Sequence, residues 1–175
     1  MTPEDEKYYG CEITNAGNLY PSRAALYKRL TDYNLKLWGS PPAVWLKLPE
    51  LDHILMNDAV YNQNKSKAFS AAKIVLNNLH PAEIDGVNKR TFEVAVCGGF
   101  QITNYTKALE ELYDIDKEVV TYRNFDELVE KINFYLKPEN EAERQRIIKA
   151  GRKRSLEEHT YTNRLKQLLE VVFGC

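Results

Sequence analysis

The chain has 175 residues, enough for one domain with its own core. Its 43% hydrophobic content excludes a disordered chain, and 24 basic against 25 acidic residues leave a net charge of −1. That balance gives no electrostatic footprint for nucleic acid or an anionic membrane, and neither is expected as a partner.

In chain order, short apolar runs alternate with helical patterns. Residues 1–7 are acidic and polar, read as a flexible lead-in, and lack the apolar stretch of a signal peptide. Tyr8 to Thr14 reads as a strand and Asn15-Ala16-Gly17-Asn18 as a turn. Ser22 is placed to cap a helix through Ala25, Leu26 and Leu30. Leu35 to Trp38 forms a second strand, closed by Gly39-Ser40-Pro41-Pro42, and Ala43 to Asp58 is irregular. Ala59-Val60-Tyr61 reads as a third strand and Ser66 to Ala72 as a short helix.

Lys73 to Asn77 has the continuous apolar character of a buried strand. It runs into the polar Asn77-Asn78, then an acidic loop through Asp85-Gly86, then a helix starting at Asn88 and ending at Gly98-Gly99. Phe100 to Thr103 and Glu118 to Tyr122 are the remaining strands. Helices follow over Phe125 to Leu136, Asn140 to Glu158, and from Thr160 towards Phe173. The alternation specifies a single α/β, Rossmann-like domain over residues 1–175. It would be a doubly wound, mostly parallel sheet of about six strands, with helices on both faces and a closing helical segment over 159–175. No apolar run is long enough to span a bilayer, so no membrane insertion is expected.

Ligands of such sheets bind at the carboxyl ends of the strands, which singles out the Asn15–Ser22 and Asn77–Asn88 loops. Gly17 lets backbone approach a phosphate, and Arg23 has the fork geometry to bind one. A helix start at Asn88 offers unpaired N–H groups; Arg90 and Glu93, three apart, share a face. Read locally, that pair is more simply an exposed ion pair worth a few tenths of a kcal/mol. His80, after a strand end, sits near the pocket mouth; His159 is placed to close one helix against the next. No histidine pair has metal-ligand spacing. Neither the G-x-G-x-x-G fingerprint nor a P-loop occurs, which disfavours an NAD-type oxidoreductase. The three cysteines, Cys11, Cys97 and Cys175, form no disulfide or metal pattern and fit a reducing, cytoplasmic setting. The Arg152–Arg154 run lies among Glu141, Glu143, Glu157 and Glu158 and reads as a solvated helix face.

Several motifs agree along nearly the whole chain: Lys73 to Asn77; Arg90-Thr91-Phe92-Glu93 followed by Cys97-Gly98; Glu118 to Tyr122 with Asp126-Glu127-Leu128; Ala150-Gly151-Arg152; and His159-Thr160-Tyr161 through Arg164. In this order they resemble the C-terminal domain of group 1 GT-B glycosyltransferases, in the CgeB-like (spore-maturation-protein-like) branch. The resemblance implies a nucleotide-sugar donor and no cofactor or metal. Glu93 would bind ribose hydroxyls, with Asp85 and His80 at the donor sugar. Gly17, Arg23, Gly86, Val87, Asn88 and Arg90 would meet the diphosphate, and Val60 and Tyr61 the base. Asp85 departs from the glutamate that the family carries eight positions before the second one. The resemblance also implies an N-terminal acceptor domain, in cis or as a partner subunit, and an unknown acceptor; the chain alone is expected to be inactive. The alternative is a non-catalytic Rossmann-like protein-interaction module.

Overall fold

The computed structural model describes residues 1–43, 45, 46 and 48–174. Five strands, β1 (Cys11–Ala16), β2 (Leu35–Trp38), β3 (Ala72–Asn77), β4 (Gln101–Asn104) and β5 (Val120–Tyr122), form one all-parallel sheet in the order β2-β1-β3-β4-β5. Around it lie α1 (Pro3–Tyr9), α2 (Pro21–Lys28), α3 (Asn62–Ala71), α4 (Arg90–Val96), α5 (Lys107–Leu112), α6 (Phe125–Leu136), α7 (Glu141–Glu158) and α8 (Tyr161–Phe173). The chain leaves β1 for β2 on one side, then returns past β1 to β3. The switch point therefore lies between the carboxyl ends of β1 and β3.

Alternation along the strands sorts side chains onto two faces. On one, Ala24 and Tyr27 of α2, Leu128, Ile132 and Tyr135 of α6 and Ile147 of α7 cover Ile13, Leu35, Leu37, Ile74, Leu76, Ile102 and Val120. On the other, Tyr9 of α1, Ala68 and Phe69 of α3 and Val94 of α4 cover Ala16, Trp38 and Val75. Both faces are buried, which is why β3 reads Ile74-Val75-Leu76 without alternation. Each fully buried large side chain here is worth about 1.5–3 kcal/mol of transfer free energy.

The doubly wound architecture is as expected, with five strands in place of six. Ala59-Val60-Tyr61 pairs with no strand. The positive φ of Asn57 and Asn62 brackets it, and Val60 packs beside Trp38. The edge of β2 is met earlier, where the Leu37 N–H donates to the Ile54 carbonyl at 2.9 Å and the Met56 N–H to the Leu37 carbonyl at 3.0 Å. Residues 1–7, expected to be flexible, contribute to α1 instead. Pro3 occupies its first turn, and Thr2 and Asp5 form a reciprocal capping box with bonds of 3.0 and 3.1 Å. That helix takes Tyr8 and Tyr9 out of the expected strand, so β1 starts at Cys11. α2 starts at Pro21 rather than being capped by Ser22, again because proline suits a first helical position.

α5 was not anticipated. α6 matches its expected bounds, with Asn124 accepting the Glu127 N–H at 2.9 Å. The basic run of α7 is not simply solvated: Arg152 donates to the Val96 carbonyl at 3.1 Å, and Arg154 pairs with Glu158 at 2.5 Å and Glu118 at 3.5 Å. His159 does join α7 to its surroundings. Its Nε2 lies 2.7 Å from the Leu112 carbonyl, so Nε2 donates and Nδ1 accepts from Arg164 at 3.0 Å. Among the described residues no helix is long and apolar enough to cross a membrane. Cys11 and Cys97 are free thiols, and Cys175 lies outside the described residues.

Candidate functional site

A cleft of about 330 Å³ opens over the carboxyl ends of β1, β2 and β3, at the switch point. Its floor begins with two consecutive asparagines. Side chains alternate as β3 runs out, so Asn77 points to the α4 face and Asn78 to the α2 face. Each holds one arginine. The Asn78 side-chain oxygen accepts Arg23 Nε at 3.0 Å and its backbone carbonyl accepts Arg23 Nη2 at 3.1 Å. The Asn77 side-chain oxygen accepts Arg90 Nη1 at 3.3 Å. Arginines from opposite sides of the sheet thus converge above one strand end.

Gly17 is where they meet. Its φ of +144° is a backbone conformation that suits glycine, and a Cβ there would run into Arg90 Nη2 and stand 3.4 Å from Arg23 Nη1. Gly39, after β2, packs so closely that its own Cβ would meet the Gly17 carbonyl at 2.6 Å. Two bare backbones side by side leave the space that the guanidinium groups occupy.

The two arginines lack a direct ion pair, although Glu93 acts on Arg90 from the rim. Arg23 is only 4% exposed, yet its partners are neutral: Asn78, the Asn18 carbonyl at 2.6 Å, and the Tyr20 ring 5.1 Å away. Among the described residues neither Arg23 nor Arg90 has a carboxylate ion-pair partner. Three of Arg23's five donors and one of Arg90's are engaged. Burial, reinforced by the Arg23 charge beside it, pushes the Arg90 guanidinium below its ordinary pKa. Burying cations without counter-charge is costly, and an anion bridging them would offset that cost.

Around the arginines, the rim adds Lys65, Lys89, Glu83, Glu93 and His80, making four basic side chains against two carboxylates. Glu93 does not pair with Arg90. Lys65 of α3 reaches both its oxygens at 3.2 and 3.3 Å, and Lys89 stands at 3.9 Å. The His80 ring accepts the Ala82 N–H on Nδ1 at 3.2 Å and meets the Tyr20 ring edge-on at 5.0 Å. Glu83 accepts the His80 N–H at 3.0 Å.

Of the residues expected in the site, Gly17, Arg23, Val60, Tyr61, His80, Asn88, Arg90 and Glu93 line this one cleft. Val60 is buried in its wall and Tyr61 stands 67% exposed at its edge. Asp85 and Gly86 lie on the exposed loop outside the lining. The Val87 side chain packs instead against the buried cluster of Leu109, Tyr113 and Val119. The helix starts at Arg90, two residues later than expected, and is only seven residues long. Lys89 takes the N-cap position without a side-chain bond, and Asn88 before it accepts the Thr91 N–H at 3.2 Å. The positive potential of the cleft therefore comes from guanidinium groups more than from a helix end. Sequence reasoning missed Lys65, Glu83 and the arginine-holding role of Asn78. The polar Asn77-Asn78 ending of an apolar strand was the available signal.

A second, larger groove of about 840 Å³ runs between α4 and the start of α8. Phe92, Val96, Cys97, Leu156 and Tyr161 make it apolar, and it shares Tyr61, Lys65, Lys89 and Glu93 with the cleft.

A family model described as glycosyl transferase-like matches residues 22–170. No curated protein matches the chain in sequence. Among solved structures, the Anabaena protein Alr3699/HepE in complex with UDP-glucose superposes over all of this chain and 54% of its own, at 11% identity and a TM-score of 0.71. A glycosyltransferase from Rickettsia africae does so over 98% of this chain and 52% of its own, at 10% identity and 0.66. The C-terminal domain of a glycosyl transferase group 1 family protein, LpcC, from Francisella tularensis matches 90% of this chain and 91% of its own, at 14% identity and 0.60. At such identities the likeness is one of fold, that of GT-B glycosyltransferases. The chain spans about half the length of the Anabaena and Rickettsia structures.

Proposed function

The chain belongs to the glycosyl transferase-like family, and from that premise we propose that it is the donor-binding half of a GT-B glycosyltransferase, of the CgeB-like branch. It would take a nucleoside diphosphate sugar in the cleft over β1, β2 and β3. One observation carries this reading: two guanidinium groups, neutral-partnered and rich in free donors, converge at Gly17 on the switch point. A diphosphate supplies the missing negative charge, and the Anabaena neighbour of the same fold was solved with UDP-glucose.

In sugar transfer the leaving diphosphate gains negative charge as its bond to the sugar breaks. Arg23 and Arg90, held in place by Asn78 and Asn77 before the reaction, would stabilise that charge without reorganising, and no metal is needed for it. Glu93 would accept ribose hydroxyls, Val60 and Tyr61 would flank the base, and His80 would face the sugar. The acceptor, and the second domain that presents it, come from outside this chain, which alone would transfer little. The free thiols of Cys11 and Cys97 support a cytoplasmic setting.

The test is a titration of UDP, GDP, ADP, dTDP, CMP and their sugar conjugates into isotopically labelled protein. Binding should shift the amides of Gly17, Arg23, Arg90 and Glu93 and weaken in Glu93→Ala. Silence to every nucleotide at millimolar concentration rejects the reading and favours a protein-interaction module, to which the exposed Leu165, Leu168 and Leu169 of α8 would lend themselves.

A further inference from the structure

Lys65 has no counterpart in the motifs that point to a nucleotide site, yet it lines that site. It stands one turn into α3, on the wall shared by the cleft and the apolar groove. Its Nζ straddles the Glu93 carboxylate, 3.3 Å from one oxygen and 3.2 Å from the other, and the two side chains are 22% and 32% exposed. Lys89, at 3.9 Å and 74% exposed, is a looser neighbour. A carboxylate has about four lone-pair sites, so a lysine bridging both oxygens leaves roughly two for other donors. It also restrains rotation about the last bond of Glu93, a freedom that an exposed glutamate keeps.

The start of α3 is unusual in a way that serves this contact. Asn62, its first residue, has φ +48°, a left-handed conformation that asparagine tolerates better than most residues. The following turn is closed by Asn64 and Lys65 N–H groups donating to the Tyr61 carbonyl at 3.0 and 3.3 Å. Tyr61, beside the cleft, and Lys65, on Glu93, are thus set by one turn of backbone.

Resting on the nucleotide-donor reading above, we propose that Lys65 is a positioning residue: it clamps the Glu93 carboxylate so that its remaining lone pairs face the vicinal hydroxyls of a ribose. Lys65 selects ribonucleotides through Glu93, and its own charge contributes little to phosphate binding, which belongs to Arg23 and Arg90.

Calorimetric titration of the full chain separates these roles. The probes are UDP, GDP and ADP, the 2′,3′-dideoxy counterpart of whichever binds best, and inorganic pyrophosphate. The wild type should prefer the ribonucleotide by about tenfold or more, the worth of hydrogen bonds to a charged group. Lys65→Met should bring that ratio close to one, as Glu93→Gln should, while pyrophosphate affinity stays within about threefold. Lys65→Arg should restore most of the preference. A Lys65→Met protein that keeps the ribose preference overturns the proposal. So does one that loses affinity for all three probes alike, since Lys65 would then be another phosphate cation. If the wild type binds neither pyrophosphate nor any nucleotide, the donor reading itself falls, and the Lys65 role with it.

Discussion

Two neighbouring cavities, the cleft and the groove, share a wall and differ in size and lining. The groove beside α8 is the larger and greasier; the cleft over the strand ends is smaller and lined by charge. Volume and apolar surface would select the groove as the ligand site. Yet the groove's own walls are ordinary packing: Phe92 lies 6.1 Å from the Tyr113 ring and 5.3 Å from the His159 ring, all of them satisfied contacts. The cleft holds two arginines with unspent donors and, among the described residues, no carboxylate paired directly to either. Cationic donors without a direct ion pair, held in place at a topological switch point, are the better mark of a site than empty space.

This contrast can be broken, and the sharpest way is through the arginines. Arg23→Met and Arg90→Met should each cut affinity for nucleoside diphosphate by about tenfold or more, and the double variant by about a hundredfold, read by calorimetry. Arg23→Met should also lower stability by about 1–3 kcal/mol, because it takes the Arg23 donor from the buried Asn78 carbonyl and leaves the Asn78 side-chain oxygen with the Asn15 amide alone. An unchanged affinity in the double variant would move the anion site elsewhere.

Gly17→Ala tests the same point from the backbone. Its φ of +144° and its collision with Arg90 predict a loss of about 1–3 kcal/mol in denaturant unfolding, with weakened diphosphate binding. A smaller effect is expected where α1 meets α3. Lys67, 2.9 Å away, and the Thr2 N–H hold the Asp5 carboxyl down at about 2, against an ordinary 3.8. A depressed carboxylate stabilises the fold above its ordinary value, and that contribution is lost as pH falls from about 4 towards 2. Melting temperatures of the wild type and Asp5→Asn should therefore differ at pH 6 and converge near pH 2. The smallest effect belongs to the groove: Tyr161 is 80% exposed there, and Tyr161→Ala should leave nucleotide affinity within about twofold and stability within about 0.5 kcal/mol. A large loss of affinity in that variant would reverse the comparison of the two cavities.

What the sequence made legible follows a physical rule. α6 was readable because an amphipathic run ends before Pro138; the Asn124 cap that fixes its start comes from the structure. β3 was readable because burial on both faces leaves an unbroken apolar run. α5, at six residues, is too short to display a period, and the three-residue Ala59–Tyr61 run is no longer than a turn. α1 did carry its signal, Thr2-Pro3 with Asp5, beneath an acidic composition that suggested flexibility. In the site, Gly17, Arg23, Arg90 and Glu93 were legible as residue types at strand ends. Their wiring was not: Arg23 is bound by a residue 55 positions away and Glu93 by one 28 positions away, separations at which no local pattern survives. The positions of Asp85, Gly86 and Val87 depend on the route of an irregular loop, which periodicity does not encode.

The most direct measurement follows the arginine side chains themselves. Inorganic pyrophosphate, titrated into the full chain labelled at the arginine Nε positions, should produce saturable shifts of the Arg23 and Arg90 Nε–H resonances and leave Arg152 and Arg154 on α7 unmoved. Saturable shifts centred on the α7 arginines, or none at Arg23 and Arg90, would contradict the account.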